Sequence, residues 1–219
     1  MIARRLAPLT LDSLQDLPDP CRRCVFWELD PVAARAAERG GTTALAKQAW
    51  LSTALLQWGS VGRIAYVDAS PAGYLSYAPP HLVPRSMAFA TAPVSADAVL
   101  LMTGRVLPAF AGMGLGRMLM QGVAKDLTCR GVRAIEAFGQ CGGAAGADPV
   151  DAAQRAEVTG ACLLPVDYLL AVGFTTVRPH HRHPRLRLDL RTALSWREDV
   201  EHAIERLLGS VRNPVLSRG

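Results

Sequence analysis

Arg105-Val-Leu-Pro-Ala-Phe-Ala-Gly-Met-Gly-Leu-Gly-Arg-Met-Leu-Met120 joins an apolar run, a turn with three alternate glycines and the start of an amphipathic helix. Gly112, Gly114 and Gly116 carry no Cβ to obstruct a ligand. The first amides of the following helix have no intrahelical acceptor and lie at the positive end of its dipole. Such a turn is suited to an anion, and a diphosphate fits its size and charge.

Outward from this turn the pattern reads as a parallel βαβ unit. Ala98-Val-Leu-Leu-Met102 is a buried strand running towards Val106. The helix Gly116 to Cys129 presents Met118, Leu119, Val123 and Leu127 to a core, and Gly131 stops it before a strand from Val132 to Phe138. Upstream, Val61 to Val67 and Ala72 to Tyr77 flank Asp68-Ala-Ser-Pro71, which predicts a hairpin, and Pro79, Pro80, Pro84 and Pro93 mark a loop-rich passage. The first sixty residues read as a short strand, Met1 to Leu9, followed by helices. Thr10 opens a short one through Leu17, Asp30-Pro31 caps a second that ends at Gly40, and a third spans Thr42 to Trp58 with Leu45, Ala49, Leu55 and Trp58 on one face.

Downstream, Gly139 to Gly146 is a loop by composition, and the stretch to Gly160 has weak helical character. Pro165 to Val172 reads as a short helix ended by Gly173, and Phe174 to Val177 and Leu186 to Leu190 as strands. Ser195 with Glu198 forms a capping box for a last helix whose apolar face is Trp196, Val200, Ala203, Ile204 and Leu207. The expected architecture is α/β, a mixed (α+β) sheet with flanking helices.

A chain of 219 residues, half of them hydrophobic, can bury a sizeable core. No uninterrupted apolar segment after Arg4 and Arg5 is long enough for a signal peptide or a bilayer span, and five cysteines form an odd set in a chain that needs no staples. These features predict a cytoplasmic protein with free thiols and no membrane partner. The net charge of +5 rests almost wholly on arginine, Lys47 and Lys125 being the only lysines. Without an aromatic-interleaved basic stripe this predicts no nucleic-acid binding, and attraction of a small acidic cofactor accounts for the excess.

The strand to Val106, the turn Gly112 to Gly116 and the later Ala171-Val-Gly-Phe174 together resemble the GNAT superfamily of acyl-CoA-dependent N-acyltransferases, over roughly residues 60 to 190. That family's turn runs Gln or Arg, two variable residues, Gly, one variable residue, Gly or Ala. Ala111, Gly114 and Gly116 hold those places, so the first position departs from the pattern. The resemblance implies a GNAT-like central sheet flanked by helices, with 1–60 a helical part of the same domain, 61–192 the acyltransferase-like core and 193–219 a C-terminal helix and tail. It implies acetyl-CoA or another acyl-CoA as cosubstrate, its diphosphate on Ala111, Gly112, Met113, Gly114, Leu115, Gly116 and Arg117. The pantetheine arm would run beside a strand that splays from its neighbour, with Val106 and Leu107 as its backbone partners. Pro108 has no N–H and ends that ladder.

The implied chemistry is direct attack of an amine, on a small molecule or a protein, upon the thioester. The backbone near Val106 or Leu107 would steady the oxyanion, and an acid would protonate the departing thiolate. In the family a tyrosine stands four residues before the Gly-Phe pair. Here that place is Leu169, with Tyr168 beside it, and one residue turns a helical side chain by about 100°. Glu136 is the candidate base, its plainer reading a structural or solvated carboxylate. A CoA-binding regulatory module without turnover and a protein N-acetyltransferase are the alternative functions. A dinucleotide-binding turn competes through the spacing of Gly112 and Gly114 and through Glu136, but the third glycine of that fingerprint is Arg117.

Two clusters remain. Cys21-Arg-Arg-Cys24 has metal or redox spacing but no second close pair, so no metal is expected. Phe26, Trp27 and Glu28 beside it read as core or substrate wall. His180, His181 and His183 stand among Arg178, Arg182, Arg185 and Arg187, a solvated basic connection or a contact for an acidic group.

Overall fold

Residues 61–78 fold as the expected hairpin, and the rest of the sheet grows from it. In the computed structural model, which describes residues 3–142 and 162–190, β2 (Gly62–Val67) and β3 (Ser70–Ala78) pair antiparallel across Asp68, whose φ of 53° closes the turn. On its free side β2 takes up β1 (Arg4–Pro8), antiparallel, and β3 takes up β4 (Ala98–Val106), also antiparallel. The chain then leaves β4 through the glycine turn into α3 (Leu115–Cys129) and returns as β5 (Ala134–Gln140), parallel to β4. That is the βαβ unit read from the sequence. β8 (Arg185–Asp189) and β7 (Thr175–Arg178) extend the sheet beyond β5, and β6 (Leu164–Pro165) pairs with the end of β5. The order is β1-β2-β3-β4-β5-β8-β7.

Two hydrophobic layers sandwich this sheet, because alternate residues of each strand point to opposite faces. Val99 and Leu101 of β4 meet Leu119, Val123 and Leu127 of α3 and Leu169 of α4 (Val166–Ala171). Leu100 and Met102 meet Leu14, Leu17, Trp27 and Leu51 from the N-terminal segments. In that second layer Trp27 stacks at 5.3 Å on Phe89, which stacks at 4.3 Å on Phe138 of β5.

The N-terminal helices follow their caps. Asp30 accepts from the Val32 and Ala33 amides at 2.8 and 3.0 Å and starts α1 (Pro31–Arg39). The segment after Thr10 is a 3-10 turn, Asp12–Asp16, rather than an α-helix. α2 (Thr43–Gln57) lies where expected but rotated: it buries Lys47, Leu51 and Ala54 and leaves Leu45 and Ala49 exposed. The reason is ionic. Lys47 pairs with Glu28 inside the protein, and a helix face marked by a lysine does not register as apolar periodicity. In place of the loop expected from Gly139, β5 continues through Gln140; the rest of that loop from residue 143, the weak helix to Gly160, the capping box at Ser195 and the final helix lie outside the described residues.

Candidate functional site

β4 and β5 stay together over three residue pairs only, Ala98 with Ala134, Val99 with Ile135 and Leu100 with Glu136. Beyond them β4 follows β3 as far as Val106, while β5, whose other edge pairs with β8 from Ala134 to Phe138, takes up β6 at Gly139 and Gln140. The strands therefore splay. Leu107 donates to the Ala72 carbonyl at 2.9 Å, which makes Val106 and Gly73 a pair whose own N–H and C=O groups point away from each other. By the same alternation Gly104 also turns its N–H and C=O towards the gap. Among the described residues nothing on β5 pairs with them.

The gap opens into a cavity of about 260 Å³ lined by Tyr74, Gly104, Val106, Gly116, Leu164 and Tyr168, among others. Its walls are largely apolar side chains. Gly104 was not anticipated as a site residue, although an isolated glycine within a strand marks close backbone approach. A Cβ there would stand 2.1 Å from Leu75 Cδ2 and 2.8 Å from the Tyr74 carbonyl.

At one end of the cavity lies the glycine turn. Gly112 and Gly114 have φ of +76° and +72°, a region costly for residues with a Cβ, and Gly114 is the N-cap of α3. Among the described residues the amides of Gly112, Gly114, Leu115, Gly116 and Arg117 have no acceptor, whereas Met118 begins the helical ladder by donating to Gly114 at 3.1 Å. Arg4, 109 residues away in sequence, donates to the Met113 carbonyl at 2.9 Å and pins the turn to β1. No local signal announces that contact. Ala111 is exposed, its amide bonded to Pro108, and Arg117 extends into solvent.

Of the adjacent pair on α4, Leu169 is fully buried in the α3 layer and Tyr168 faces the cavity. The Tyr168 hydroxyl donates to the Gly116 carbonyl at 2.9 Å, and its ring edge would stand 3.2 Å from a Cβ on Gly116, so that glycine admits the ring. Burial pushes the Tyr168 phenol up to about 12. It is protonated at neutral pH. Leu107 is less open, since its carbonyl also accepts from Phe110, at 2.9 Å.

Glu136 is fully buried and engaged on both oxygens. Arg185 Nη1 reaches one at 2.5 Å, with the Ser95 amide at 3.1 Å, and Arg187 Nη1 reaches the other at 3.2 Å. Arg187 also holds Asp97 at 2.8 Å, so two arginines of the basic segment are neutralised internally. The histidines gather in one local turn: His180 Nδ1 accepts from the Arg182 and His183 amides, the His180 ring lies 4.4 Å from that of His181 and 6.3 Å from that of His183, and His183 packs edge-on against Phe89. Burial lowers the His183 pKa. Among the described residues no group of three or more His, Cys, Asp or Glu side chains is placed to hold a metal, and no helix is long and apolar enough to cross a membrane.

Comparison of the sequence with family models and with curated proteins yields no match. Solved structures do match. PaiA N-acetyltransferase from Thermoplasma acidophilum, in complex with coenzyme A, is 10% identical with a TM-score of 0.53, covering 85% of this chain and 99% of its own. A GNAT-family acetyltransferase assignment from Desulfovibrio desulfuricans (18% identity, 87% and 99% coverage, TM-score 0.47) and an acetyltransferase from Thermus thermophilus (19%, 85% and 96%, 0.46) are further neighbours. The chain shares the fold of the Thermoplasma structure, a mixed sheet flanked by helices, as the resemblance to the GNAT superfamily implies.

Proposed function

We propose that the protein transfers an acyl group, acetyl in the simplest case, from an acyl-CoA to an amine. The observation that carries this reading is the continuity of the splayed edge of β4 with a turn of free amides at the head of α3. A pantetheine arm contains amides, and the inward groups of Gly104 and Val106 can pair with them as a strand would. The diphosphate then falls on Gly112, Met113, Gly114, Leu115, Gly116 and Arg117, where backbone donors and the helix dipole favour negative charge. Ala111 and Leu107 flank this path and contribute by position, Leu107 having both backbone groups engaged.

In the reaction the amine nitrogen attacks the thioester carbon, the C–S bond breaks, and the products are an amide and CoA thiol. The Val106 N–H steadies the charge that develops on the carbonyl oxygen. Tyr168 supplies the proton to the leaving sulfur, for which its hydroxyl must turn from the Gly116 carbonyl, and the proton shed by the attacking nitrogen passes through water to restore the phenol. Glu136 enters as a strut rather than as the base, since both its oxygens are held by cations.

Tyr168→Phe keeps the ring and removes the hydroxyl. We expect a fall of at least about tenfold in kcat with CoA affinity unchanged, and wild-type turnover would exclude the role. A specific observation favours a second reading, a CoA-binding module without turnover: Leu169 stands where the family has its tyrosine and is sealed in the core. An amine panel, small molecules and peptide N-termini alike, scored for CoA thiol release from acetyl-CoA, separates the two. Release with any acceptor establishes the transferase, and binding without release across the panel favours the module.

A further inference from the structure

Cys21-Arg-Arg-Cys24 suggests that these two cysteines belong together, yet the fold gives Cys24 a different neighbour. Its Sγ lies 3.2 Å from Sγ of Cys162, which is 138 residues further along. The approach is held from both sides. Cys24 sits in a turn closed by its amide on the Pro20 carbonyl at 3.0 Å, and Trp27 Nε1 donates to the Cys162 carbonyl at 2.9 Å. Cys21, Glu28, Lys47, Tyr74 and Thr103 complete the surroundings of a hollow of about 10 Å³, which has no room for a bound molecule larger than water. Neither cysteine is wholly buried.

The two sulfurs are unequal. Their contact, in which either thiol can be the donor, lowers the Cys24 pKa, with the Phe26 amide adding to this, while the same contact and burial raise that of Cys162. The lowered pKa makes Cys24 the attacking sulfur of the pair.

We propose that Cys24 and Cys162 are a redox pair which a hydroperoxide converts to a disulfide, tying the Cys21–Cys24 turn to the segment that enters β6. The Cys24 sulfur attacks one peroxide oxygen and the O–O bond breaks, leaving Cys24 sulfenic acid and water. The Cys162 sulfur then displaces the hydroxyl as a second water while the S–S bond forms. Two electrons pass from the thiols to the peroxide, and two thiols with one hydrogen peroxide give one disulfide and two waters. A disulfide near 2.05 Å draws Cys162 towards the turn, and Leu164 and Pro165, just beyond it, line the large cavity. The pair therefore adjoins the cleft, whatever the cleft binds.

The test treats the reduced full-length protein with hydrogen peroxide, alkylates residual thiols and maps peptides without reduction. A Cys24–Cys162 linked peptide that dithiothreitol reverses is the expected product, as is dimedone-trapped Cys24 sulfenic acid in Cys162→Ser. Exposed Cys129 serves as the internal control for oxidant exposure. A Cys21–Cys24 link as the main product would overturn the proposal, as would Cys24 and Cys162 both remaining alkylatable after Cys129 has reacted. The wild-type map does not depend on the variant folding.

Discussion

Glu136→Gln is expected to lower stability by about 3–5 kcal/mol, because it leaves the guanidinium of Arg185 in a buried site without its counter-charge. Removing one member of a buried pair is far more damaging than replacing the whole pair, and total folding stability is only about 5–15 kcal/mol. Arg187 keeps Asp97, so the loss centres on Arg185, whose Nε already lacks a partner among the described residues. Urea unfolding of both proteins measures this. A variant as stable as wild type but inactive in acyl transfer would return Glu136 to the role of base.

Gly114→Val is expected to weaken acetyl-CoA binding by at least about tenfold, equivalent to about 1.4 kcal/mol. Its φ of +72° is a left-handed conformation that costs a residue with a Cβ about 1–2 kcal/mol, and a β-branched side chain is a poor occupant. Space is not the obstacle, since a Cβ there meets nothing within 4 Å. The substitution acts instead by turning the backbone, and with it the unpaired amides of Gly114 and Leu115. Calorimetry on the folded variant, with circular dichroism as the check on folding, reads the effect. Unchanged affinity would remove the phosphate from this turn.

What the sequence makes legible is what neighbours in the chain decide. The hairpin announces itself through two apolar runs and Asp68-Ala-Ser-Pro71, α1 through Asp30-Pro31, and the βαβ unit through its glycine turn. Contacts between distant segments carry no such mark. The rotation of α2 follows from Lys47 meeting Glu28, and the engagement of Glu136 follows from arginines 49 and 51 residues further on. The turn and Tyr168 are readable as residues. The splay that turns Gly104 and Val106 inward is not, because it depends on where β5 leaves β4 and takes up β6. Likewise the spacing of Cys21 and Cys24 gives no sign of Cys162, which meets Cys24 across 138 residues with its carbonyl held by Trp27.

In the proposed function an acyl-CoA lies along the splayed edge of β4 with its diphosphate on the head of α3. Backbone hydrogen exchange of the full chain, with and without acetyl-CoA, tests it directly, because among the described residues the amides of Gly112, Gly114, Leu115, Gly116 and Arg117 have no acceptor. Acetyl-CoA is expected to slow exchange at Gly104, Val106, Gly112 and Gly114 to Arg117. Saturable binding of acetyl-CoA with no slowing at Gly112 and Gly114 to Arg117 would contradict that placement.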